Sequence, residues 1–342
     1  MVLTLGDLRP APRVELPPAP EQVTAEQMWI SPEHRVPHWL HIHAQRSQLG
    51  DDLPQICNTV GAGDLAAMLG CPWHFTPNTV WFEPIAGEPK DWPSLAFTRE
   101  QIEQSGPFQQ LRQLVEAGLE QAAGRVYVGM PDLVENFDIY SSLRGPQTAL
   151  LDLYDQPEVV EQRLWEINEA FYAAFDAFYD LIRDDIGGNV FSAFNLWGPG
   201  KTAKVQCDAC AMFGPEMFRK FVAGPLTAQC EWLDYAMYHL DGEECWPNLD
   251  VLLEIEALRA IEWTPKFAYT GEGGGHPKWY ELYRRILAAG KSVQAISVTP
   301  DEVIPLLDAV GGEGMYIMCK GQDLTPDQAA RLREKAEAYR YS

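Results

Sequence analysis

Short apolar runs that alternate with long amphipathic stretches constrain this chain more than any other feature. The runs over 125–130, 189–196, 236–240, 260–263, 292–298 and 315–319 read as buried strands. Helical patterns fill 99–121, 147–185, 214–234, 277–289, 300–309 and 325–339. From Pro157 to Asp184, the residues Val160, Leu164, Ile167, Phe171, Phe175, Phe178 and Leu181 recur at three- and four-residue steps, which places them on one helix face. Thr299-Pro-Asp and Thr325-Pro-Asp read as helix caps with proline in the first turn. Strand, turn and helix repeated in this way imply parallel strands joined by right-handed crossovers. The pattern predicts an α/β fold, a single (β/α)8 TIM barrel over 26–342, preceded by an extended proline-rich arm over 1–25. No G-x-G-x-x-G follows the first strand and no G-x-x-x-x-G-K-[ST] occurs, so dinucleotide-binding and P-loop folds lose support.

Charge narrows the partners. Among 342 residues, 49 are Asp or Glu and 26 are Lys or Arg, a net charge of −23. Such a surface repels phosphate backbones and anionic membranes, which argues against nucleic-acid and membrane partners. It leaves room for an anionic small molecule at a local basic pocket. No apolar run approaches the roughly 18–20 residues of a membrane span, and no signal-peptide core is present. With seven cysteines, an odd number, the expectation is a cytoplasmic chain with reduced thiols.

In a barrel, side chains at the carboxyl ends of strands share one mouth. Those positions here are polar or aromatic: Met130-Pro-Asp132, Asn195-Leu-Trp197, Tyr238-His239-Leu-Asp241, Glu262-Trp263 and Cys319-Lys320. His239 and Asp241 lie two apart on a strand and therefore share a face. Histidine serves there as metal ligand, general base or carboxylate anchor. His239, Asp241 and Cys319 together would suit zinc with one open position; the alternative is a substrate-binding His–Asp pair beside a small buried thiol. Asp208 and Glu262 are candidates to orient substrate or carry protons. Asn58, Asn195, Trp197, Tyr238 and Trp263 are candidate substrate-binding residues. Cys207-Asp-Ala-Cys210 lacks a second pair and a redox context. His41-Ile-His43 reads as an exposed or core-edge strand. The stretches 71–95 and 264–279 read as long loops, and Gly271-Glu-Gly-Gly-Gly275 as either a mobile lid or a surface loop.

The string from Asn195 to Lys266, with Gly214-Pro-Glu-Met-Phe-Arg-Lys-Phe221 opening a helix and Tyr238-His-Leu-Asp-Gly242 on a strand, resembles the uroporphyrinogen decarboxylase superfamily. LGCPWHFTPNTVWFEP, SLRGPQTALLDLYDQPEVV and the closing segment from Thr299 extend the resemblance over nearly everything after residue 50. The resemblance implies a single (β/α)8 barrel and one of two activities. Decarboxylases of this superfamily use an arginine-rich amino-terminal signature, M-R-Q-A-G-R, which is missing here. The other branch comprises zinc-dependent methyltransferases, which move a methyl group between a corrinoid protein and a thiol. Their His-x-Cys motif aligns with His239 and Asp241, with Asp241 in place of the first cysteine, and Cys319 stands near the second. The resemblance thus implies methyl transfer from a corrinoid carried by a separate protein, or from a small methyl donor, to a thiol, with zinc on His239, Asp241 and Cys319. The alternative is a metal-free decarboxylase or lyase acting on a small carboxylated substrate, with Asp208 and His239 as acid and base. Barrels of this superfamily are often dimers, so a homodimer is expected.

Overall fold

The computed structural model describes residues 1–5, 23–45, 50–321 and 324–340. Twelve strands occur among them. They are β1 (Val2–Thr4), β2 (Gln55–Ile56), β3 (Trp73–Phe75), β4 (Val80–Phe82), β5 (Tyr127–Val128) and β6 (Asn189–Phe191), followed by β7 (Leu196–Gly198), β8 (Thr202–Gln206), β9 (Tyr235–Asp241), β10 (Leu258–Thr264), β11 (Ser292–Val298) and β12 (Met315–Cys319). The chain divides into two units. A sheet unit takes in the described residues of 1–16, 41–53 and 236–342, and a helical unit those of 17–40 and 54–235.

In the sheet unit, parallel strands run in the order β1-β12-β11-β10-β9. Ile261, Val293, Ala295 and Ile317 are buried in them. Helices Tyr280–Ala288, Pro300–Val310 and Pro326–Glu337 make the crossovers and the closing element. Their starts follow the sequence: Thr325 Oγ1 accepts from the Gln328 N–H at 3.3 Å, and the Thr325 N–H donates to Gln328 Oε1 at 2.9 Å. β1 pairs with β12 in the register Val2↔Tyr316 to Thr4↔Met318. Carboxylates fix it there, because Asp51 Oδ2 accepts from the Leu3 N–H (2.9 Å) and Asp52 Oδ2 from the Leu5 N–H (2.8 Å). The first residues of the expected arm are therefore a sheet strand. Residues 6–22 lie outside the described residues.

The helical unit is organised by the helix Pro157–Ile182, whose buried face carries six of the seven apolar residues that the spacing predicted, Val160, Leu164, Ile167, Phe171, Phe175 and Phe178, while Leu181 is only half-buried beside buried Ile182. Phe178 meets Phe108 of the helix Gly106–Ala122 with ring centroids 4.6 Å apart. Each fully buried phenylalanine stabilises the unit by about 1.5–3 kcal/mol. Buried Arg163, on the same helix, donates to the carbonyls of Pro89 (2.6 and 3.0 Å), Trp92 (2.8 Å) and Pro93 (3.1 Å) and to Glu166 Oε2 (2.6 Å). It ties down a segment with no regular partner. The pattern over 214–234 is broken by a π-turn at Phe218–Val222. Pro225 explains it, since it has no N–H for the carbonyl four residues back and its ring would crowd that oxygen.

The α/β class and the parallel strands stand, but closure of eight strands into a cylinder does not appear among the described pairings of either unit. In the helical unit the strands are two to five residues long. β2 pairs only with β5, β6 pairs antiparallel with β7, and a single bridge joins Met130 to Phe191. Beyond Met130 the backbone turns away at Pro131, and Val134 and Asn136 take left-handed φ values of 54° and 56°. Two loop and strand readings are corrected as well. His41 and His43 lie in the helix Pro32–Gln45 rather than on a strand. The 71–95 stretch holds an antiparallel hairpin, Trp73↔Phe82 to Phe75↔Val80.

Candidate functional site

In parallel sheets, ligands meet the protein at the carboxyl ends of strands. In the sheet unit, register sets one row that starts in the carboxyl-terminal halves of β9 and β10 and crosses into the amino-terminal halves of β11 and β12: His239↔Glu262, Glu262↔Gln294 and Gln294↔Tyr316. Residues paired across parallel strands share a face, so the row is polar across four strands. The next row begins Asp241↔Thr264.

Glu262 is fully buried and bound on both oxygens. His239 Nδ1 meets Oε2, and the Thr264 hydroxyl donates to Oε1 at 2.7 Å. Burial pushes the Glu262 carboxyl above its ordinary range, while His239 and Thr264 pull it back. When the carboxylate accepts a proton from Nδ1, the lone pair of the neutral ring is left on Nε2. His239 itself keeps a side-chain exposure of 13%, enough for a reactant to touch it. His239 and Asp241 each offer a ligand atom within 4.8 Å of the other.

The other expected site residues fall out differently. Tyr238 and Trp263 are each one step from His239 and Glu262 along their strands, so they face the opposite side of the sheet. Both are fully buried. Trp263 packs against Trp279 and Trp246 in tilted and edge-on contacts, with centroids 4.8 and 5.9 Å away. They are core, not walls of the site, because alternation along a strand separates neighbours. Cys319 ends β12 opposite Val298, is buried, and is pushed up to about 12 by burial with help from Asp52 and Glu302. Among the described residues, no group of three or more metal-ligating atoms within 4.8 Å of one another includes it. Strand order explains this: β12 lies three strand spacings, about 14 Å, from β9.

Asp208, Asn58, Asn195 and Trp197 belong to the helical unit. Asp208 opens a short 3-10 turn; Asp138 Oδ2 accepts its N–H at 2.8 Å, and Asp208 Oδ2 accepts from Gln206 Nε2 at 2.9 Å. Asn58 is fully buried and donates to the Gly129 carbonyl at 3.0 Å, joining the ends of β2 and β5. Asn195 Oδ1 accepts from Gln55 Nε2 at 2.8 Å, and Trp197 Nε1 donates to Asp184 Oδ2 at 3.0 Å. Cys207 and Cys210 are buried free thiols.

Sequence reading missed three features. Gln294 and Tyr316 join the row only through strand pairing. Lys204 is buried on β8, pairs with Asp132 at 2.8 Å, and lies near Glu135. Burial pushes Glu135 up to about 8 against the pull of Lys204, and its Oε2 has no hydrogen-bond partner among the described residues. Finally, the Gly271–Gly275 run is packed, not loose. A Cβ on Gly273 would sit 2.0 Å from the Ser297 carbonyl, and one on Gly274 2.3 Å from that of Ile296. Trp279 Nε1 and the Tyr283 hydroxyl hold the Gly273 and Gly274 carbonyls at 3.0 and 2.6 Å. Close backbone approach is what these glycines serve.

A fold with parallel strands ending in a carboxylate-held histidine defines a general class of strand-end active site. The fold is shared with a methyltransferase from Methanosarcina mazei at a TM-score of 0.58 and 14% identity, over 97% of this chain and 96% of that one. No protein-family model matches the chain, and no curated protein matches it. No helix among the described residues is long and apolar enough to cross a membrane.

Proposed function

We propose that this protein is a methyltransferase that delivers a methyl group to a thiol, with His239 as the base. The observation that carries the reading is the buried Glu262 carboxylate on His239 Nδ1, at the carboxyl end of neighbouring parallel strands. The shared fold with a methyltransferase supports the same class. His239 Nε2 takes the proton of the thiol. The sulfur then attacks the methyl carbon; the carbon–sulfur bond forms as the bond from methyl to its carrier breaks, and that electron pair leaves with the carrier. Glu262 stabilises the imidazolium that results, and Thr264 fixes the carboxylate. The imidazolium returns its proton to solvent. The carrier is a small methyl donor or a corrinoid on a separate protein.

The zinc set of His239, Asp241 and Cys319 does not fit this geometry. The Cys319 thiol is outside the cluster. Without the sulfur, a nitrogen and carboxylate oxygens remain, a harder donor set than a thiolate-activating zinc site uses. No step is routed through zinc.

The test is incubation of the full chain with free methylcobalamin and 2-mercaptoethanol. Thioether is followed by mass spectrometry and loss of the carbon–cobalt chromophore by absorbance. The expected result is thioether from wild type and none above background from His239→Ala. Carbon dioxide release from a carboxylated substrate, with no thioether from any donor and thiol pair, would replace this reading with the decarboxylase.

A further inference from the structure

We infer that Lys320 is a specificity-determining residue that docks an oxyanion, a carboxylate or sulfonate, on the substrate whose reacting atom meets His239. For that reacting end the inference rests on the methyl-transfer reading; the docking itself does not.

Lys320 directly follows β12, and its backbone N–H donates to the Val298 carbonyl at 2.7 Å, which ties it to the end of β11. Its ammonium lies 3.5 Å from the centroid of the Phe267 ring. Phe267 opens the short helix that follows β10, the strand that carries Glu262. The lysine stem therefore reaches back past β11 and brings the charge to the end of β10, beside the strand of His239. The Phe267 ring is a firm seat, since a Cβ on Gly273 would lie only 3.4 Å from its edge.

What singles out this lysine is that it is half-buried at a strand end with no counter-ion, whereas Lys90, Lys220 and Lys335, which also lack ion pairs among the described residues, are exposed. Lys266 pairs with Glu244 at 2.6 Å, and Lys278 with Glu243 at 2.9 Å. No carboxylate among the described residues lies at ion-pair distance from Lys320, although the chain carries 49 acidic residues. A half-buried ammonium on an aromatic face is only partly compensated by the ring. An oxyanion arriving at that face completes the pair, and in an otherwise repulsive field it selects where an anionic substrate can enter.

The test titrates propionate and ethanesulfonate against the full chain, with propanol as the neutral control, by saturation-transfer NMR. Both anions are expected to bind at least ~10-fold tighter than propanol, in a salt-dependent way. Preference for one anion assigns the oxyanion as carboxylate or sulfonate. Lys320→Met keeps the stem on Phe267 and is expected to weaken both at least ~10-fold, whereas Lys320→Arg stays within about threefold. His239→Ala is expected to leave anion binding unchanged, so loss of thioether formation with intact docking overturns only the methyl-transfer reading. Anions binding no tighter than propanol, affinity indifferent to salt, or Lys320→Met titrating like wild type overturns the inference. Should Lys320→Met fail to fold, the salt series on wild type and the Lys320→Gln variant carry the test.

Discussion

Replacing Glu262 with glutamine isolates the electrostatic part of the proposed site, because the side chain keeps its shape and loses its charge. Two bonds converge on the native carboxylate, one from His239 and one of 2.7 Å from Thr264. A hydrogen bond to a charged group is worth about 1.5–3 kcal/mol. At 1.36 kcal/mol per factor of ten, that corresponds to a loss of roughly 10- to 200-fold. Changes to carboxylates that orient a functional histidine cost about 10- to 100-fold, which overlaps that range. The expected outcome for Glu262→Gln is thus a fall of ~10- to 100-fold in kcat/KM for thioether formation. Stability should change little, since a buried charge and its desolvation cost go together. A substrate-free readout accompanies it: the downfield imidazole Nδ1 proton in the wild-type NMR spectrum should be lost or move upfield. Thr264→Val should give a smaller loss, below about tenfold, having removed one of the two bonds. Activity of Glu262→Gln within twofold of wild type, with the downfield proton unmoved, would refute the role given to the pair.

Three further outcomes follow from the packing and the charges. Arg163→Met strands three backbone carbonyls and removes the ion pair to Glu166, so urea unfolding should show a loss of about 3–5 kcal/mol, against little change for the exposed control Arg112→Met. Glu135, pushed up to about 8 when folded, holds a proton that the unfolded chain has already released above its ordinary 4.5. The folded chain binds more protons in that window, so stability should fall as pH rises from about 5 to 8, and Glu135→Gln should flatten the trend in denaturant melts taken across that range. Cys319→Ala should leave thioether formation within about twofold of wild type; a loss beyond ~100-fold would bring the thiol back into the chemistry.

The long helix, the capped starts at Thr299 and Thr325, and the strands at 292–298 and 315–319 were legible because apolar period and cap chemistry are local signals. β8 was not legible. Thr202-Ala-Lys-Val-Gln206 is mostly polar, and its burial draws on residues some seventy positions earlier in the chain: Asp132 pairs with Lys204, and Glu135 accepts the Gln206 N–H. His41-Ile-His43 misled because a spacing of two has no period of its own in so short a window, and the helix Pro32–Gln45 accommodates it. Tyr238 and Trp263 could have been placed correctly: the alternation that puts His239 beside Asp241 already turns the intervening residues the other way. Glu262 as the partner of His239 was out of reach, since only the register between β9 and β10 brings the two together. Glycines at 271–275 suggested looseness, whereas the backbone carbonyls they admit show crowding.

The placement of β1 against β12 bears on how the molecule is made. Thr4 pairs with Met318, so the opening strand waits through the synthesis of more than three hundred residues before its neighbour exists. At roughly 5–20 residues per second the ribosome needs about fifteen seconds to a minute for that interval. Residues 54–235, by contrast, can assemble their own unit while the rest is still being translated. Until β12 emerges, β1 has only its contacts with Asp51 and Asp52 to hold its backbone, and its sheet pairing is among the last long-range contacts that the growing chain can make.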